Sequence, residues 1–228
     1  LQLGHPYIRD YLREQVLDGL DASTQEFLQA TCLLERFSAA LADRLTESCN
    51  GREMLEALER AGLFIQPVDS LRQWFAYHPL FACFLQNELS THQPQRVAEL
   101  HLRAAEALLE EKMPEEAARH AVLARDPQRI TQVLLSHGRQ FYRQGRLALL
   151  QRCLAVLPES AIAESPLFTL LQAWASQNQY QSDQVERWLQ AGEAAQKGLH
   201  TPEQWQRIEA DFKAVRAQVA INQGDLQQ

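Results

Sequence analysis

Chemistry in this 228-residue chain must begin with side chains that titrate, ligate or attack, and the histidines come first: His5, His78, His92, His101, His120, His137 and His200. No two of them lie four residues apart, so no metal pair forms on a single helix. His101 shares a predicted helix with Glu99 and Glu106 but lacks a second imidazole there. His120, in an alanine-rich helical run, reads as a packed or surface ring. Cys32, Cys49, Cys83 and Cys153 fall at wide, irregular spacings with no CxxC pair, and Cys32 and Cys83 lie in apolar stretches. Small buried thiols in a reducing compartment account for them better than a disulfide frame or a zinc site. The sequence has no GxxxxGK[ST] loop, no HExxH and no GxSxG. The carboxylates of EALLEEKMPEE read as a solvated helix end. Trp174, Trp188 and Trp205, at helical spacing, read as core residues before they read as platforms for a sugar or a base. The expectation is a chain that is not itself an enzyme, with no catalytic residue, no metal site and no assignable sugar-binding residue.

One histidine has a different setting. In WFAYHPLFACFLQ, Trp74 to Gln86, His78 stands between a strand-like aromatic run and the first turn of an apolar helix, with Pro79 directly after it. Such a ring has three uses. It can cap the helix, fill a half-buried niche, or present a ring N–H to a phosphate held by a neighbouring domain. The residues alone favour the first two.

The elements that position this ring change character along the chain. A helical pattern through Tyr7, Ile8, Tyr11, Leu12, Val16 and Leu20 opens at His5-Pro6. Asp21 and Ser23 both offer N-caps to STQEFLQATCLL, with Ser23 and Glu26 at capping-box spacing. SAALADRL, with Ser38 as cap, and REMLEALERAGL, with Gly62 as stop, are two further helices. LFIQPV and RQWFAYH then alternate β-formers about Asp69-Ser70 as a hairpin, its first strand confined by Pro67 to an edge or a bulge. PLFACFLQNEL returns to helical spacing. Three helices, a two-stranded wing and a helix make a winged-helix module. Its pre-wing helix sets Glu53, Glu56 and Glu59 against Arg52 and Arg60, which argues against a DNA-reading role.

After Pro94 only helices are predicted, joined by short connections that imply antiparallel neighbours. From Pro166 the helices pair in a loosely tetratricopeptide-like manner, with Ala173, Ala175, Ala191, Ala194, Ala217 and Ala220 as expected close-approach positions. The fold class is therefore mainly α: a winged-helix module with a β-hairpin over 1–93, a helical arm over 94–160, and the first helices of a tetratricopeptide-like array over 161–228. Composition agrees: 46% hydrophobic residues with only 9 Gly and 9 Pro describe a chain with real cores. A net charge of -7 without any basic run excludes a general polyanion-binding surface. No apolar run approaches the ~20 residues of a membrane span and no signal peptide is present, so a soluble cytoplasmic protein is expected. A start at Leu1 without Met and an ending at NQGDLQQ, where Gly224-Asp225 closes a helix, lead us to expect a segment of something longer.

These residues carry a likeness. LERFSAALADRLT, MLEALERAGLFIQPVDSLRQWFAYHPLFACFL, ELHLRAAEAL, EEAARHAVLARD, Leu157-Pro158, SPLFTLLQAWASQ and RAQVAINQGD together resemble the maltose-regulon transcriptional activators. Those belong to the large ATP-binding LuxR-type regulators among the STAND signalling ATPases. The resemblance runs from the first helix to the last residue. It implies a P-loop ATPase domain before this segment, a maltotriose-binding sensor continuing after it, and a far C-terminal helix-turn-helix domain as the DNA-binding part. ATP and ADP would be bound mainly outside these residues, ATP would be hydrolysed slowly by the whole protein, and activation would bring self-oligomerisation. In related proteins a winged-helix histidine, in a Met-His-Asp or Tyr-His-x-Leu context, contacts the β-phosphate of ADP. Tyr77-His78-Pro79-Leu80 falls at that position, with Pro79 in place of the acidic residue, which makes His78 the nucleotide-sensing candidate. The rival expectation is a stand-alone tetratricopeptide-like adaptor that binds proteins. An enzyme built on His78 or His101 ranks below both, for want of any nucleophile–base pattern.

Overall fold

The hairpin at Asp69-Ser70 forms as the β-formers on either side of it require. In the computed structural model, which describes residues 6–178, 181–196 and 202–223, β2 (Ile65–Pro67) pairs antiparallel with β3 (Trp74–Tyr77), setting Ile65 opposite Tyr77 and Pro67 opposite Phe75. His5, His200 and the Gly224-Asp225 helix end lie outside the described residues. The Asp69 carboxylate closes the turn, one oxygen accepting from the backbone N–H groups of Gln73 (2.9 Å) and Trp74 (2.8 Å). The wing has a third strand that the sequence did not announce. Residues Phe37–Ser38 (β1) lie on the other side of β3, giving the order β1-β3-β2. Two residues are too short for a periodic signal. Pro67 accordingly sits on an edge strand, where its missing N–H breaks no ladder bond.

The chain divides into two units, Leu1–Ala124 and Arg125–Gln228. In the first, α1 (Pro6–Leu12) runs into a π-helical turn at Arg13–Leu17, followed by α2 (Ala22–Thr31), α3 (Ala39–Thr46) and α4 (Gly51–Arg60). Beyond the wing come α5 (Pro79–His92), α6 (Pro94–Glu110) and α7 (Pro114–Ala124). Of the two candidate caps for α2, Asp21 is the one used, its carboxylate accepting from the Thr24 N–H at 3.0 Å; the Ser23–Glu26 box is not formed as the cap. Ser38 caps α3 as expected, accepting from the Leu41 N–H at 3.2 Å. Gly62 ends α4 at φ +67°, and the N–H groups of Gly62 and Leu63 reach the carbonyls of Glu59 and Leu58, both at 3.0 Å. That is a Schellman stop, whose left-handed residue glycine occupies without steric cost.

Phe27, Phe37, Phe81, Phe84, Leu41, Leu55, Leu58 and Leu85 fill the core of this unit. At its centre the Thr31 hydroxyl donates to the Phe27 carbonyl (2.7 Å), which leaves Tyr77 as the donor in the 2.7 Å bond between the two hydroxyls. Burial raises the Tyr77 phenol far above its ordinary range, so the hydroxyl stays neutral.

The second unit is helical among its described residues: α8 (Pro127–Arg143), α9 (Leu147–Leu154), α10 (Glu159–Ala163), α11 (Pro166–Gln177), α12 (Ser182–Ala195) and α13 (Pro202–Gln223). Helix α11 packs against α8, α9, α12 and α13 and carries Leu170, Leu171 and Ala173 fully buried. Trp174 and Trp188 are core residues, as their spacing suggests, and Tyr142 lies flat on Trp174 with ring centres 3.9 Å apart. The alanine reading needs a correction. Ala194 and Ala217 are exposed, and the tight approach falls instead at Gly192, where a Cβ would stand 2.3 Å from Thr169 Oγ1 and 2.5 Å from Phe212 Cζ. The thiol reading is corrected too: Cys32 and Cys153 are buried and pushed up to about 12 by desolvation, but Cys83 is half-buried and Cys49 exposed.

Candidate functional site

Strand periodicity sets the direction of His78. Phe75 and Tyr77 of β3 point into the core, so the residue that follows the strand turns outward, and His78 is exposed. Pro79 then bars His78 from helical backbone, leaving it at φ -55° and ψ 133°. The His78 backbone is held from both sides. Its N–H donates to the Phe64 carbonyl at 2.7 Å, and its carbonyl accepts from Phe81 (2.9 Å) and Ala82 (3.0 Å).

The side chain is placed with equal economy. Nδ1 of His78 accepts the Leu80 backbone N–H at 3.3 Å and so caps α5. Proline at the first helical position brings no N–H, so every donor of the first turn is already directed at His78. An accepting Nδ1 carries no proton. The geometry therefore assigns the neutral tautomer with hydrogen on Nε2, and no group among the described residues pairs with that hydrogen. The result is a single rigid N–H donor facing solvent at the N-terminal end of a 14-residue helix, a setting that favours an anionic partner.

The Phe64 backbone that holds the His78 N–H carries a partly exposed aromatic side chain. Phe64, at φ +51° and 42% exposed, packs on Phe81 at 5.2 Å between ring centres. Leu33, Leu34, Glu35, Tyr77, Pro79, Ala82, Cys83 and Gln86 line a cleft of about 480 Å³ beside the seam. The pre-wing helix α4 presents no free basic face. Arg52 pairs with Glu56 at 2.9 Å, Arg60 bonds the Glu56 carbonyl at 3.1 Å, and Glu59 is paired by Arg72 of the wing.

The other histidines divide by environment. His92 lies on the exposed end of α5 within 3.5 Å of Glu88, a nearly buried carboxylate also engaged by Arg13. His137 stacks loosely on Phe141 at 6.3 Å. His101 and His120 are a pair that sequence reasoning did not bring together. Nineteen residues apart, they meet Nδ1 to Nδ1 at 2.9 Å between α6 and α7. They are only 7% and 8% exposed. The signal was present: His101 continues the inward stripe of Val97, Ala104 and Leu108, and His120 that of Ala117 and Ala121, on two helices joined by a short turn. Burial lowers both rings, and His120 falls to about 4 through burial, then His101, then Arg119. Among the described residues, no group of three or more His, Cys, Asp or Glu side chains could hold a metal ion.

Fold and seam together define the class: a winged-helix domain whose wing is completed to a three-stranded sheet by β1, an acid-balanced pre-wing helix, and an outward histidine capping the helix after the wing. Residues 12–97 match the family model of the MalT winged helix domain. Over that stretch, from Leu12 through α5 into α6, the chain is similar to the MalT winged helix domain, and the match supports a segment of a MalT-like transcription regulator with further domains. No helix among the described residues is long and apolar enough to cross a membrane.

Proposed function

We propose that this chain is the central signal-transmitting segment of an ATP- and maltotriose-dependent transcriptional activator, in which His78 reads the nucleotide state of a P-loop ATPase domain. The observation that supports this reading most is the outward, unpaired Nε2–H of His78, fixed by the cap that its other nitrogen makes. These residues fit one edge of a nucleotide site and no more: there is one ring N–H and no glycine-rich phosphate loop. His78 donates that N–H to a β-phosphate oxygen of ADP held by the ATPase domain, and the apolar surfaces of Phe64 and the Pro79–Ala82 cleft pack where the two domains meet. Docking through this contact favours a compact resting form. Maltotriose on the downstream sensor opposes docking, shifts the population toward ATP-bound subunits and permits oligomerisation, with DNA bound through a C-terminal helix-turn-helix domain. The chain itself catalyses nothing in this scheme; slow ATP hydrolysis belongs to the ATPase domain, and the whole works in the cytoplasm.

The test is His78→Ala in the full-length regulator. Weaker ADP retention and higher transcription without inducer are expected. Unchanged ADP affinity together with unchanged basal transcription would remove His78 from the mechanism.

A further inference from the structure

The 2.9 Å contact between the Nδ1 atoms of His101 and His120 can hold only one hydrogen. One ring must therefore be the Nδ1–H tautomer and the other the Nε2–H tautomer, accepting through a bare Nδ1. We infer that this pair is a proton-operated latch between α6 and α7, closed while both rings are neutral and opened when both are protonated.

The order of proton uptake follows from the bond. A first proton goes to Nε2 of the donor ring and leaves the N–H···N bond in place, but it puts a cation in a dry interface next to Arg119. For a second proton the acceptor has only its Nδ1. Taking it would set two N–H groups face to face, so the rings must separate and α7 must lift from α6.

Charges on the surrounding elements do not relieve that cation. Arg119 of α7 stands 4.0 Å from both Glu35, after α2, and Glu115 of α7. On the outer side of α6, Arg103 pairs with Glu99 (2.7 Å) and with Glu47 at the end of α3 (3.0 Å). Arg44 of α3 holds Glu110 (3.3 Å) and Glu111 (2.8 Å). On α5, Glu88 is engaged by Arg13 and His92. The charged group that bears directly on His120, besides His101, is thus the cationic Arg119. The fold opposes protonation, and opening waits for pH well below the ordinary histidine range.

The experiment uses the 228-residue chain and two readouts. Two-bond ¹H–¹⁵N spectra of the histidine rings at pH 7.5 should show one Nδ1–H ring and one Nε2–H ring assigned to His101 and His120; two Nε2–H rings would overturn the proposal without any variant being made. Amide exchange, corrected for intrinsic rates, should show α7 losing protection relative to α2 by about tenfold or more between pH 7 and 4.5. In a His101→Leu/His120→Leu double variant α7 should stay protected across that range, because apolar replacement of both partners removes the bond and its titration together. Wild-type α7 that tracks α2 throughout would also overturn the latch.

Discussion

Two histidine settings in the first unit use the same side chain to opposite ends. His78 stands at a helix N-terminus with one nitrogen tied to the backbone and the other in solvent, whereas His101 and His120 spend a nitrogen each on one another inside a helix–helix seam. In the first case one nitrogen is fixed by the cap and the other has no partner among the described residues. In the second the partner is already present and the surrounding apolar surface resists any further proton. The difference lies in burial and in what the second nitrogen faces.

The comparison breaks most readily at the buried pair. His120→Ala leaves a cavity and strands the His101 ring, so a loss of about 2–4 kcal/mol is expected in chemical denaturation of the first unit. His78→Ala removes one exposed cap and should cost only about 1 kcal/mol by the same assay. Equal losses at the two sites would erase the distinction drawn between them.

Acid should act on the pair with a definite sign. The folded-state pKa of His120 lies at about 4, below its ordinary 6.5, so the unfolded chain takes up the proton first. Stability from this group is full above pH 6.5 and is lost as pH falls toward 4, by roughly 2–3 kcal/mol. Urea midpoints measured from pH 7.5 to 4 check this, and a His101→Leu/His120→Leu variant should flatten that part of the slope. The smallest effect belongs to Pro79→Ala. It adds an N–H at a first-turn position open to solvent and leaves the ring in place, so a change under about 0.5 kcal/mol is expected in the unfolding midpoint.

How legible these two sites were follows from their range along the chain. The seam at His78 is local: strand alternation through Phe75 and Tyr77, then Pro79, suffices to turn the ring outward and stop the strand. Helix boundaries governed by Ser38, Gly62 and the Pro-initiated first turns were legible for the same reason. The His101–His120 contact depends on the angle and register at which α7 folds back on α6, a tertiary quantity that no short window contains. Phe37 and Ser38 joined the sheet because β3 offered a free edge, although two residues carry no strand pattern. Gly192, beside the expected Ala191, is the close-approach position in α12 because Phe212 of α13 and Thr169 of α11 converge on it.

The central claim is that the free nitrogen of His78, and not its cap, meets the nucleotide. His78→Asn separates the two, since asparagine is a good N-cap but ends short of the place that the imidazole Nε2 occupies. In the full-length regulator loaded with ADP, the variant is expected to unfold at the wild-type midpoint while releasing ADP several-fold faster. An ADP release rate equal to wild type, with the fold intact, would contradict the account.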